Sequence, residues 1–220
     1  MRCLLCDEAL SSSFSFTDLF LLRPSKTNLC FTCSKDFVSI SEKHCPSCYK
    51  SDIAELCSDC HAWQEQGKQV NHVALYRYND AMKAYFSQYK FEGDYLLRKV
   101  FSQDIKQAIK KYKGYAFLPI PLSPEGLNKR RFNQVTGFLD EAGLPYLDLL
   151  GKHDSIKQSS KSRQERLASQ QTFYLKKDKV LPDKILLIDD IYTTGATLVL
   201  AKQVLYQAGV RDIKTFSLAR

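Results

Sequence analysis

A chain of 220 residues with 44% hydrophobic content can bury one ordinary core and carry a small module beside it. Its formal charge of +8 suits a polyphosphate ligand or a nucleic acid, a choice that charge alone leaves open. No apolar run is long enough to cross a bilayer, and Cys3 and Cys6 stand where a secretory leader would carry its basic and apolar stretch, so a cytoplasmic protein without membrane insertion is expected.

Cysteine defines the N-terminal segment. All eight cysteines lie within the first 60 residues, as the Cys-x-x-Cys pairs Cys3/Cys6, Cys30/Cys33, Cys45/Cys48 and Cys57/Cys60. Two thiolates three positions apart grip one metal ion, and two such pairs complete a tetrahedral Cys₄ site, so four pairs imply two zinc ions. A short polar segment of this kind folds only with its metal, and disulfides are disfavoured in a cytosolic chain. Sequential pairing leaves 23 intervening residues in one site and eight in the other, spans that bracket the usual ribbon spacing, and a cross-braced arrangement is the open alternative. His44 and His61 adjoin the pairs and read as chance neighbours or as hydrogen-bond partners of the ligands rather than as ligands themselves. Residues 1–62 are therefore read as a zinc-ribbon module and 63–220 as a second domain. Charge follows the same division: six basic and eight acidic side chains in the first (net −2), 26 and 16 in the second (net +10).

Residues 61–70 are polar and read as a linker. Val73–Tyr78 alternates as a strand does, and Asn79 suits a helix N-cap. Ala81, Met82, Tyr85, Phe86 and Tyr89 fall at helical spacing, Gly93 ends that helix, and a longer amphipathic helix is expected over 94–112. Ala116–Leu122 is a strand that its two prolines cut short. Ser123-Pro124 opens a helix expected to run through Arg130 and Gln134 to near Gly143. A strand over 146–150 comes next, then a polar stretch over 152–171 that is either a functional loop or disorder. Strand 184–188, helix 195–208 closed by Gly209, and strand 212–218 complete an α/β fold with a parallel sheet flanked by helices.

The most informative stretch is Lys184 to Leu198, where a buried apolar strand leads into Asp189-Asp190, then Thr193-Thr194-Gly195-Ala196-Thr197 at a helix start. Backbone N–H groups and threonine hydroxyls at a positive helix N-terminus form a phosphate cradle. Carboxylates beside it can accept the paired hydroxyls of a sugar, and the C-terminal edge of a parallel sheet is where ligands bind. The pattern resembles the ribose-phosphate loop of the type I phosphoribosyltransferases, which bind phosphoribosyl pyrophosphate (PRPP) with Mg²⁺.

Several separated motifs resemble the ComF proteins of bacterial natural competence, which join an N-terminal zinc module to a phosphoribosyltransferase-like domain. These are Tyr89-Lys90-Phe91-x-Gly93-Asp94, Pro119-Ile-Pro121-Leu, Arg130-x-Phe132-Asn133-Gln134, Gln158/Ser162/Arg163/Glu165/Arg166 with Phe173, and Asp189 to Thr197. Arg131 stands where the family pattern carries glycine, and Ser169 where it carries asparagine. By this resemblance Asp189 and Asp190 hold the ribose hydroxyls, directly or through Mg²⁺, while Thr193, Thr194, Gly195, Ala196 and Thr197 wrap the 5′-phosphate. Lys90, Arg130, Lys161, Arg163 and Arg166 are the cationic candidates to face the pyrophosphate, with residues 155–171 as a lid. The resemblance further implies a DNA-uptake factor that binds single-stranded DNA and a helicase partner, ComFA. The alternative is an active Mg²⁺-dependent phosphoribosyltransferase on an unknown acceptor. Relatives with an acidic general base have Asp where this chain has Thr193, which cannot take a proton readily at neutral pH.

Overall fold

The computed structural model describes residues 1–10, 28–154, 172–176 and 180–220. The polar stretch 155–171, with Lys161, Arg163 and Arg166, lies outside the described residues. The first elements are two short helices, α1 (Phe31–Lys35) and α2 (Ser58–Glu65), each preceded by a zinc-type cysteine, Cys30 and Cys57, at its N-cap. The expected linker over 61–70 is thus helical as far as Glu65. Strand β1 (His72–Tyr76) leads to α3 (Asp80–Ser87), whose N-cap Asn79 accepts from the Met82 N–H. A π-turn (Gln88–Glu92) continues α3 and ends at Gly93 with φ 78, the left-handed conformation that glycine adopts without steric cost. A 3₁₀ turn (Tyr95–Leu97) then starts α4 (Arg98–Ile109).

Strand β2 (Ala116–Pro119) is followed by α5 (Pro124–Arg130) and α6 (Gln134–Glu141). One continuous helix was the expectation here, and the break has a local cause. Arg131 adopts φ 69, the left-handed conformation, and Asn133 caps a new helix by accepting from the Val135 and Thr136 N–H groups. This is the position at which the ComF pattern carries glycine, the residue best suited to that backbone. The strand expected over 146–150 begins later: β3 (Leu150–Lys152) pairs antiparallel with β4 (Phe173–Leu175) outside the main sheet. Pro145 has no N–H to give a ladder, and Leu147 reaches the sheet only through one bond to the Phe117 carbonyl. Strand β5 (Lys184–Ile191), α7 (Ala196–Gln207) and β6 (Asp212–Ala219) complete the fold.

The main sheet has the order β1-β6-β5-β2 with all neighbours parallel. Its central strand β5 sends alternate side chains to opposite faces. Leu186 and Ile188 join an aromatic core with Tyr85, Phe86, Phe101 and Phe138, against α3, α4 and α6. Ile185 and Leu187 join a second core with Leu198, Ala201 and Leu205 of α7. The same alternation carries forward to Asp189 and Asp190, which leave the strand on opposite sides. Pro119 is tolerated because β2 is an edge strand. The opposite edge, β1, is covered by the cysteine-rich segment through Ile40 N–H to the Leu75 carbonyl and Arg77 N–H to the Val38 carbonyl. Among the described residues no helix is long and apolar enough to cross a membrane.

The sulfur atoms of Cys3, Cys6, Cys30 and Cys33 lie within 4.8 Å of one another, as do those of Cys45, Cys48, Cys57 and Cys60. Separations of 3.6 Å (Cys6–Cys30), 3.5 Å (Cys48–Cys57) and 3.9 Å (Cys45–Cys60) bracket the edge of a thiolate tetrahedron around zinc, ~3.8 Å for Zn–S bonds of ~2.3 Å. The two groups fit two zinc ions, and the pairing is sequential. His44 is turned to the Ser41 carbonyl and stacks on Tyr49, and neither it nor His61 joins a cluster.

The two clusters differ in access: Cys6 is exposed, whereas all four cysteines of the second cluster are buried. Zinc should therefore number two per chain by elemental analysis, and a chromogenic chelator should release it in two phases, the slower one absent in Cys45→Ser. A single fast phase carrying both ions would contradict this burial. At Arg131, substitution by glycine removes left-handed strain of about 1–2 kcal/mol and adds about 0.5–1 kcal/mol of unfolded-chain entropy, so Arg131→Gly should raise stability by about 0.5–1 kcal/mol in urea melts. A lowered urea midpoint would show that the arginine side chain makes a stabilising contact here.

Candidate functional site

A cavity of about 320 Å³ opens at the C-terminal ends of β2 and β5, lined by Lys90, Pro121, Arg130, Gln134, Lys152, Asp189, Asp190, Thr193 and Thr197 among others. Strand ends supply the acids, the π-turn supplies Lys90, and the start of α6 supplies Gln134. This is the edge of a parallel sheet at which ligands bind in doubly wound folds.

Asp190 is 6% exposed and so needs compensation for its charge. Lys90 supplies it, with Nζ 2.7 Å from the carboxylate and its own side chain only 9% exposed. The ammonium also lies 4.2 Å from the Phe86 ring centre, a cation–π contact on the aromatic core. Gln134 Nε2 donates to the same carboxylate, and Arg130 in turn donates to Gln134 Oε1 at 3.2 Å. The Ile191 N–H completes the shell at 2.7 Å. Asp189, on the other side of the strand, has no such close cation among the described residues. Burial, and then the neighbouring Asp190 charge, push its carboxyl up to about 7. Lys152 from β3 and Lys90 oppose that rise at longer range.

Beyond the acids the chain turns through Thr193 and Thr194 into Gly195, whose φ of 82 is left-handed. A side chain there is excluded twice over, because a Cβ would also collide with the ring and hydroxyl of Tyr192. Tyr192 lies buried between the His72 ring, 4.2 Å away, and the Arg220 guanidinium, 4.7 Å away. Thr193, Thr194 and Ala196 are exposed, and the first-turn N–H groups of α7 have no intrahelical acceptor. The Ala196 N–H donates to Thr194 Oγ1 at 3.4 Å; an anion held here meets the first-turn N–H groups at the positive helix end, while hydroxyls meet two carboxylates.

The structure therefore brings together Lys90, Arg130, Asp189, Asp190, Thr193 and Thr197 around one cavity, with Thr194, Gly195 and Ala196 in the adjoining turn. Asn133 serves as a helix cap and donates to the Ile120 carbonyl. Sequence reasoning did not single out Lys152, Trp63 or Arg220. Trp63 Nε1 donates to the Thr194 carbonyl at 2.8 Å, and Arg220 donates to the Tyr192 and Thr193 carbonyls. None of the three belongs to a local motif.

No protein-family model matches the chain. It is 48% identical, over 220 residues and the whole of both chains, to competence protein ComFC of Streptococcus pneumoniae. Competence protein ComFC of Bacillus subtilis is 34% identical over 227 residues, covering 99% of this chain and 94% of that protein. Competence protein F of Haemophilus influenzae is 23% identical over 219 residues, covering 90% and 93%. With full mutual coverage at nearly half identity, the chain belongs to the ComFC family of competence proteins.

Proposed function

We propose that this ComFC protein serves DNA uptake in natural transformation and holds a PRPP-type phosphosugar in the cavity at the end of β5. The observation that carries the reading is the juxtaposition of Asp189 and Asp190 with the Gly195 turn and with Lys90 and Arg130 around one cavity. In it the carboxylates accept the ribose hydroxyls, the α7 N-terminus takes the 5′-phosphate, and the cations face the pyrophosphate. Mg²⁺ fits the same oxygen-donor set and, when bound, neutralises ligand charge beside Asp189 and Asp190. The net charge of +10 over residues 63–220 suits single-stranded DNA as a further partner, with the cysteine-rich segment, residues 1–62, as a module that docks a helicase such as ComFA. Thr193 offers no general base, so binding rather than turnover is the role assigned to the site.

Calorimetric titration of the zinc-loaded protein with PRPP, with and without Mg²⁺, tests this reading. Binding that depends on Mg²⁺ and weakens roughly 10- to 100-fold in Asp189→Ala is expected from the loss of charge-assisted hydrogen bonds. No heat at millimolar PRPP would refute the phosphosugar site.

A pH dependence follows from the raised Asp189 carboxyl. Protonated, it gives up acceptor capacity, so affinity for ribose 5-phosphate in Mg²⁺-free buffer should rise as the pH passes upward through about 7. The phosphate ionises nearby as well, and Asp189→Asn keeps that part of the profile. Identical profiles for the parent and Asp189→Asn would show that Asp189 does not titrate against the ligand.

A further inference from the structure

We infer that Arg220 and Trp63 are positioning residues that hold the phosphate loop in its binding form, with the second cysteine cluster as their anchor. The inference rests on the phosphosugar reading for its ligand, but its geometry stands without one.

Three successive carbonyls of the loop are tied down. Arg220 donates to Tyr192 O at 3.4 Å and to Thr193 O, and Trp63 Nε1 donates to Thr194 O at 2.8 Å. In a trans peptide the carbonyl and the following N–H point in opposite directions. Bonding these carbonyls on the cluster side therefore directs the N–H groups of Thr193, Thr194 and Gly195 away from the cluster. A loop whose amides are oriented before a ligand arrives loses less freedom when it binds.

Both donors are themselves fixed by the cluster. The Arg220 side chain is 7% exposed; its guanidinium lies 3.2 Å from Cys48 Sγ and 3.3 Å from the Asp59 carboxylate, and covers the Tyr192 ring. Four thiolates around Zn²⁺ would carry a net charge of −2, which would hold a buried guanidinium in place. Trp63 lies on α2, which begins directly after Cys57 and carries Cys60. The cluster, α2 and Arg220 together form a bracket behind the loop. Cys48 and Asp59 are 172 and 161 residues from Arg220 in sequence.

The test compares Trp63→Phe, Arg220→Met and Arg220→Lys in the whole 220-residue chain with the parent, each checked for zinc. Trp63→Phe keeps the packing and loses one donor. It should retain two zinc ions, speed amide hydrogen exchange across 192–199 and raise the Kd for PRPP roughly three- to tenfold. Arg220→Met should weaken binding at least as much, and Arg220→Lys, which restores a charged donor, should recover part of the loss. Exchange and affinity at parental values in both Trp63→Phe and Arg220→Met would overturn the inference. If the parent itself binds no PRPP, the phosphosugar reading fails and hydrogen exchange alone decides: unchanged exchange in Trp63→Phe refutes the bracket, and faster exchange confined to 192–199 with zinc retained supports it.

Discussion

A carboxylate that stays charged in a buried site needs a compensating partner, and much of this site is arranged around the cation that Asp190 finds. Lys90 reaches Asp190 from the π-turn that interrupts the end of α3, and Gln134 reaches it from the first turn of α6. Elements from three parts of the chain thus converge on one oxygen pair at the end of β5. Removing one partner of a buried pair is far more disruptive than the modest net value of the pair suggests, because the other charge is then left without compensation. The aromatic core lies beneath, with the Phe86 ring 4.2 Å from the Lys90 ammonium.

Asp189 and Asp190 are neighbours in sequence with opposite environments, and strand geometry is the reason. Alternation places Asp190 on the α3/α6 side, where Lys90 and Gln134 wait, and Asp189 on the side toward β3 and α7, with no close cation among the described residues. One carboxylate is therefore paired, while the other is held up near neutrality by burial and by its neighbour's charge. The cavity thus holds two acids of unequal character, one bound up in contacts with Lys90 and Gln134 and one open to protonation. The same division of faces explains the two hydrophobic cores, since the residues of β5 before the acids alternate between them.

The cysteine-rich segment is bound to the sheet by more than proximity. Its backbone covers the β1 edge, and the buried thiols of Cys45, Cys48, Cys57 and Cys60 share an apolar cluster with Leu118, Leu187 and Ile213. Arg220 and Trp63 extend that contact to the Thr193 and Thr194 carbonyls in the turn before α7. A metal cluster is a rigid base for such a contact because its ligand geometry leaves little freedom.

What the sequence alone determined is what contiguous residues determine. Cys-x-x-Cys spacing is local, so two Cys₄ groups were legible; an apolar strand, two acids and a Thr-Thr-Gly turn into a helix are local, so that βα turn and most of the parallel sheet were legible as well. The Asn79 and Ser123 caps and the Gly93 stop were read correctly for the same reason. Tertiary structure decided the remainder. The break at Arg131 was hidden because a left-handed arginine leaves no compositional mark, and the late start of β3 because an apolar run does not say where its partner strand lies. The sequential pairing of the cysteines, the pairing of Lys90 with Asp190, and the approach of Trp63 and Arg220 to the loop join residues far apart in the chain. Only packing brings such groups within hydrogen-bond distance, and side-chain identity alone does not specify which distant carbonyl or carboxylate they will meet.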